Sequence, residues 1–95
     1  LLELAFSCAR GVKVMFPNED AHELDVVVLP AGRPPICIEC KAGEFRRDIS
    51  KYQRLRKRLG VDPSRFLICS TDISDEQADS LSAMYDLSFV SLSAL

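Results

Sequence analysis

The stretch that decides the fold is ELDVVVL at residues 23–29, PAGRP at 30–34 and PICIECK at 35–41. The first run is rich in β-branched residues, and the last alternates side chains in the manner of a strand. Pro and Gly between the two runs favour a turn. The stretch therefore predicts a hairpin of two antiparallel strands.

Outward from this hairpin, the apolar spacing predicts the other elements. They are a helix at 1–9 stopped by Gly11, a strand at 12–16, a helix at 44–59 ended by Gly60, a strand at 65–70, a helix from a capping box at Ser74 to about Asp86, and a strand at 87–92. Strand–helix–strand units favour parallel, right-handed crossovers. We therefore expect one domain over 1–95: a small α/β three-layer sandwich, with a mixed β-sheet flanked by helices.

Composition excludes several classes of protein. The 95 residues are 47% apolar and 27% charged, which is typical of a globular domain. No apolar run approaches about 18 residues, so no membrane-spanning helix is expected. The start at Leu1 has no signal-peptide pattern and resembles a cut end of a longer chain.

The four cysteines predict neither a zinc site nor a disulfide framework. Cys37 and Cys40 have the CxxC spacing, but on a strand they point to opposite faces. We expect Cys40 in the core, on the face away from the acids. His22 is the only histidine in the sequence. Reduced, apolar cysteines predict a cytoplasmic protein.

Charge is distributed unevenly along the chain. Residues 46–58 carry seven Lys or Arg and one Asp, or +6, whereas the remainder carries five positive and thirteen negative residues, or −8. A basic helix on an acidic body indicates a polyanion partner. The alternative is a solvated helix face that serves solubility.

The two predicted strands bring acidic side chains together. Glu23 and Asp25 share one face of the first strand, and Glu39 and Lys41 share one face of the second. Two carboxylates about 4 Å apart repel by roughly 4 kcal/mol at an effective dielectric of about 20. One Lys does not neutralise this cluster, whereas a divalent cation with oxygen ligands does. The alternative is a metal-free cross-strand salt-bridge cluster.

Asp25 and the triplet Glu39-Cys40-Lys41, followed by an amphipathic helix and a strand, resemble the PD-(D/E)xK nuclease superfamily. More narrowly, the segments Glu23-Leu24-Asp25-Val26 and Ile38-Glu39-Cys40-Lys41-Ala42-Gly43 resemble the C-terminal nuclease domain of CRISPR-associated cyclic-oligoadenylate-sensing nucleases. The resemblance implies a restriction-endonuclease-like core, but these residues contain no sensor domain that would carry over cyclic-nucleotide activation.

The resemblance also implies roles for residues. Asp25 and Glu39 would bind Mg²⁺ or Mn²⁺ with the backbone carbonyl of Cys40, and Glu3 or Glu23 is a further ligand candidate. Lys41 would orient or deprotonate the attacking water. The residues expected to hold the phosphates of a nucleic acid are Arg46, Arg47, Lys51 and Arg54. Tyr52 and Gln53 lie where some members carry an auxiliary residue, although Tyr52 also fits the core.

These observations lead to a primary hypothesis and two alternatives. The first is a metal-dependent nuclease that hydrolyses phosphodiester bonds of DNA or RNA, with a homodimer implied by analogy. The second is a catalytically inactive nuclease-fold module for nucleic-acid binding or protein assembly. The third is a protein-interaction module that uses the acidic helix from Ser74 to Asp86.

Overall fold

The computed structural model describes residues 6–17 and 22–92, with only the backbone of Phe6. The strands are β1 (Phe6–Val14), β2 (His22–Pro30), β3 (Ile36–Lys41), β4 (Phe66–Ser70) and β5 (Ser88–Ser91), and the helices are α1 (Ile49–Leu59) and α2 (Asp75–Tyr85). Two 3-10 turns, Arg46–Asp48 and Pro63–Arg65, precede α1 and β4.

The strands form one mixed sheet in the order β1-β2-β3-β4-β5. The pairs β1–β2 and β2–β3 are antiparallel, whereas β3–β4 and β4–β5 are parallel. Both parallel connections contain a helix and step in the same direction along the sheet, so right-handed crossovers put α1 and α2 on the same face. The predicted fold class, a small α/β sandwich built on a mixed sheet with flanking helices, is confirmed.

The core lies between the sheet and the helices. Tyr52 of α1 stacks near Phe66 of β4 at 6.2 Å between ring centroids, and Phe89 of β5 lies 5.8 Å from Phe45. On the opposite face of the sheet, apolar side chains are half-buried: Val26, Val28, Ile36, Ile38, Leu67, Cys69 and Val90. Apolar residues on both faces are typical of the sheet in a three-layer α/β sandwich.

The prediction for the N-terminal elements was wrong where it can be compared. Residues 6–9, expected to be helical, belong to β1, which also includes most of the strand expected at 12–16. A nine-residue stripe of apolar residues fits a short helix as well as an edge strand, and the backbone ladder to β2 decides in favour of the strand. Residues 1–5, including Glu3, lie outside the described residues.

The regular strand geometry of both β1 and β2 is interrupted where Gly11 lies opposite Asp25. Gly11, expected to stop a helix, instead lies within β1 with a left-handed φ of 57°, at the position that faces Asp25. Leu24 and Val27 are both buried although they are three residues apart, so the alternation of β2 breaks beside Asp25. The irregularity places Asp25 where the sheet changes its regular pattern.

The two helices end largely as predicted. Gly60 is left-handed at the end of α1, and the capping box of Ser74 and Gln77 is formed at the start of α2. The first of these helices begins at Ile49, after the 3-10 turn, rather than at residue 44. Within the ranges 6–17 and 22–92, no helix is long and apolar enough to cross a membrane.

Candidate active site

The first feature of the site is the exchange of hydrogen bonds between Asp25 and the end of β3. The β2–β3 ladder pairs Val26 with Ile38, and its next step brings Asp25 opposite Glu39. There the Asp25 amide donates to Oε1 of Glu39 at 3.1 Å, and the Cys40 amide donates to Oδ2 of Asp25 at 2.9 Å. These reciprocal bonds fix both carboxylates against the backbone of the neighbouring strand.

Glu39 is an unusual residue in this position because its side chain is buried. It is only 4% exposed, and burial followed by the charge of Asp25 raises its pKa to about 7. The hydrogen bond from the Asp25 amide, followed by the charges of Lys41 and Lys51, lowers that pKa only in part. A buried carboxylate facing a second carboxylate is costly unless a cation compensates it.

The donor set fits a hard divalent cation. The two reciprocal bonds use Oε1 of Glu39 and Oδ2 of Asp25, so among residues 6–17 and 22–92 the second oxygen of each carboxylate remains for another ligand. The N–H and C=O of one strand residue point to the same neighbouring strand, so the Cys40 carbonyl is directed to the β2 side of β3. Within the described ranges, no three His, Cys, Asp or Glu side chains form a metal-binding group. A metal here would therefore take two carboxylates, this carbonyl and water.

Lys41 is held between the site and the helix above it. Its Nζ lies 3.9 Å from Oδ2 of Asp48 and 5.8 Å from the centroid of the Tyr52 ring. The hydroxyl of Tyr52 raises the pKa of Lys41, and this effect outweighs partial desolvation of the amine. That hydroxyl is buried and has no partner at standard hydrogen-bond distance in the described part of the chain. Lys41 is thus a cation at neutral pH, which favours phosphate-charge stabilisation over proton abstraction.

The cysteines lie on opposite faces of β3, as predicted. Cys37 is buried on the helical face, where burial followed by the charge of Glu39 raises its pKa. Cys40 is exposed, so the prediction that it belongs to the core was wrong. It lies at the end of β3, on the face opposite α1 and α2, where the flanking helices give it no cover.

The other predicted ligand and phosphate-binding residues are spread around the site. Glu23 is exposed on β2 opposite Lys13, and it belongs to no described group of three metal ligands. Arg46 pairs with Glu44 at 3.8 Å and shares a shallow cavity with the first turns of α2. Arg47, Lys51 and Arg54 are exposed.

The contacts of Asp48 and Asp72 were not predicted from the sequence, whereas Tyr52 was expected in the core or as an auxiliary residue of the site. Asp48, the one acid in the basic segment, holds Lys41, and its isolation among cations was the signal for it. Tyr52 both fills the core and approaches Lys41. Asp72 accepts a hydrogen bond from the Gly43 amide and ties the loop after β3 to the loop after β4. Gly43 and Asp72 are 29 residues apart in the sequence, so no local pattern predicted this contact.

Comparison with known proteins bears on the fold. No family model matches the chain, and no curated protein matches it. The chain is similar to protein VC1899 from Vibrio cholerae, whose crystal structure matches 88% of it with a TM-score of 0.65 and 21% sequence identity. The chain spans 23% of the length of that protein. At this identity, the likeness establishes a shared fold.

Proposed function

We propose that this chain is a metal-dependent nuclease that hydrolyses phosphodiester bonds of DNA or RNA, as its resemblance to the PD-(D/E)xK superfamily implies. The observation that carries the proposal is the buried Glu39 carboxylate, fixed opposite Asp25 by reciprocal hydrogen bonds. In the described residues, the Lys41 amine forms its ion pair with Asp48 and not with Glu39, whose carboxylate lies beside that of Asp25. The arrangement leaves a negative site that a divalent cation would neutralise.

The residues divide the work of hydrolysis. Asp25, Glu39 and the Cys40 carbonyl would hold Mg²⁺ or Mn²⁺. When bound, such an ion polarises a phosphoryl oxygen and lowers the pKa of its water. Lys41 donates hydrogen bonds to the scissile phosphate and stabilises the charge that develops on it. Asp48 and Tyr52 hold the Lys41 side chain at the edge of the site.

A second candidate is a catalytically inactive nuclease-fold module that binds nucleic acid. The observation that favours it is the basic surface of α1, which serves binding whether or not bonds are cleaved. A homodimer and a cytoplasmic location remain predictions for either candidate. Cleavage assays separate the two candidates.

The experiment joins metal binding to cleavage. Calorimetric titration with Mn²⁺ and with Mg²⁺ is expected to give saturable binding that is lost in Asp25→Asn. Labelled single-stranded DNA, duplex DNA and RNA are then incubated with the protein and Mn²⁺. We expect cleavage of at least one substrate, reduced by about 10²–10³-fold in Lys41→Ala.

The control for these variants is Asp79→Asn, which removes one exposed carboxylate from α2. It should retain the metal affinity and the cleavage rate of the wild type. Wild-type protein that binds nucleic acid and cleaves none of the three substrates would support the inactive module instead. Undiminished cleavage by Lys41→Ala would refute the role of that lysine.

A further inference from the structure

The basic residues of α1 lie on two different sides of the helix. Lys51, Arg54 and Arg58 are spaced three and four residues apart, so they form one row, here called the β1-side row. The guanidinium carbon of Arg58 lies 4.2 Å from the centroid of the Phe16 ring, which follows β1. This contact orients the row toward β1 and β2.

The other side of α1 faces the acidic helix α2. The side-chain amide of Gln53 donates a hydrogen bond to the Tyr85 carbonyl of α2 at 3.0 Å, so this side of α1 is turned toward α2. Arg46, before α1, shares its cavity with Glu76 and already pairs with Glu44. The exposed acids Asp75, Glu76 and Asp79 make the α2 side unfavourable for a polyanion.

One end of the β1-side row reaches the candidate active site. Lys51 lies in the first turn of α1, between Asp48, which pairs with Nζ of Lys41 at 3.9 Å, and Tyr52, whose ring centroid lies 5.8 Å from the same nitrogen. From Lys51 the row leads along the helix through Arg54 and ends at Phe16. Neighbours three or four residues apart lie about 5–6 Å from each other, so consecutive cations can contact consecutive groups of a linear polyanion.

We infer that one nucleic-acid strand leaves the active site along the β1-side row, with consecutive phosphates on Lys51 and Arg54 and its far end toward Arg58 and Phe16. The inference rests on the proposed function for the location of the scissile phosphate. The sequence predicted that Arg46 binds phosphate and did not include Arg58. The inferred path instead leaves out Arg46, which lies on the acidic α2 side, and leads toward Arg58. The α2 side contributes no phosphate contact.

The test measures binding without cleavage. A fluorescein-labelled 20-nucleotide single-stranded DNA is titrated with protein in EDTA, and anisotropy is followed over a range of salt concentrations. Lys51→Ala and Arg54→Ala should each bind about five- to tenfold more weakly at 50 mM salt, with the slope of log K against log salt smaller by about 0.7. Arg10→Ala removes an exposed cation that pairs with Val26 on the face of the sheet opposite α1, and it should change affinity by less than twofold.

Each outcome decides the inference. Equal losses in all three variants would show a diffuse charge effect and overturn the path, as would wild-type protein that does not bind. Displacement of the DNA by polyglutamate at equal charge would assign the row to an acidic polypeptide instead. Thermal melts verify folding, and Arg54→Gln replaces Arg54→Ala if that variant unfolds.

The test also separates the inference from the proposed function. If only Lys51→Ala and Arg54→Ala lose DNA affinity, and the wild type cleaves no substrate with Mn²⁺, the strand path is supported and the nuclease proposal is refuted. If the wild type cleaves nucleic acid but the three variants bind DNA equally well, the nuclease proposal is supported and the strand path is refuted.

Discussion

The helices α1 and α2 have the same length and cover the same face of the sheet, yet they are stabilised in different ways. Both contain 11 residues. α2 has a capping box and two acids in its first turn, but its only buried residue within the described side chains is Ala78. α1 has no side-chain cap and no acid in its first turn, and it buries Ile49, Tyr52 and Leu55.

The difference separates stability from function. Capping and dipole-compatible charges stabilise α2 locally. The acids at its start are therefore accounted for by the stability of the helix itself. Burial holds α1, and its exposed surface carries like charges that repel one another. The face of the sheet beneath it holds the buried carboxylate of Glu39. We therefore expect removal of the Glu39 charge beneath α1 to raise the free energy of unfolding, and removal of the Ser74 cap of α2 to lower it.

The largest effect on stability is expected for Glu39→Gln in metal-free buffer. The pKa of Glu39 is about 7 in the folded protein against 4.5 as its ordinary value, so between these pH values the folded state holds the proton more tightly. Its contribution to the free energy of unfolding is therefore present below pH 4.5 and is lost as pH rises to 7. The loss amounts to roughly 3 kcal/mol.

Urea unfolding of the wild type and Glu39→Gln from pH 4.5 to pH 8 measures this loss. Gln keeps the oxygen that accepts the Asp25 amide and removes the titrating charge. We expect the variant to gain stability relative to the wild type as pH rises, with no further gain above pH 8. Asp79→Asn is the control, and a constant difference between Glu39→Gln and wild type would contradict the prediction.

A smaller effect is expected at the cap of α2. The Ser74 hydroxyl accepts the Gln77 amide at 3.1 Å, and the Gln77 side chain accepts the Ser74 amide at 2.9 Å. Ser74→Ala should lower the free energy of unfolding by about 1 kcal/mol without changing nucleic-acid affinity. Asp48→Ala at the start of α1 removes no capping bond and only a partly exposed ion pair with Lys41, so it should cost less than half as much. Equal costs in urea unfolding would remove the distinction between the helices.

The sequence predicted the parts of this molecule that depend on local pattern. The hairpin at 23–41 and the Ser74 capping box follow from turn residues, alternation and side-chain spacing, and all are present. The proximity of Asp25 and Glu39 followed from the antiparallel register of that hairpin. These features require only neighbours along the chain or across one turn.

The features that the sequence did not predict depend on tertiary contacts. β1 replaced a helix because the ladder to β2 outweighs a short apolar periodicity. The two sides of α1 could not be distinguished before Gln53 was found against Tyr85 and Arg58 against Phe16. A helical pattern gives the angle between residues, whereas the neighbours on each side come only from packing.

The smallest effect is expected for Tyr52→Phe, at the contact between α1 and the site. The Tyr52 ring packs beside Phe66, and Phe preserves that packing. The hydroxyl is buried without a partner at standard distance in the described residues, so its removal should leave stability unchanged or raise it by up to about 1 kcal/mol. It should also lower the pKa of Lys41, since the hydroxyl is the main cause of its raised value.

Urea unfolding and NMR titration of the labelled Lys41 side chain measure both effects, with Tyr85→Phe as the control on α2. A loss of more than 1 kcal/mol, with the pKa of Lys41 lowered, would mean that the hydroxyl and the ammonium share a hydrogen bond in solution. α1 would then be joined to the site by a polar bond as well as by packing. Its contrast with α2 would lie in where its polar bonds point, not in whether it has them.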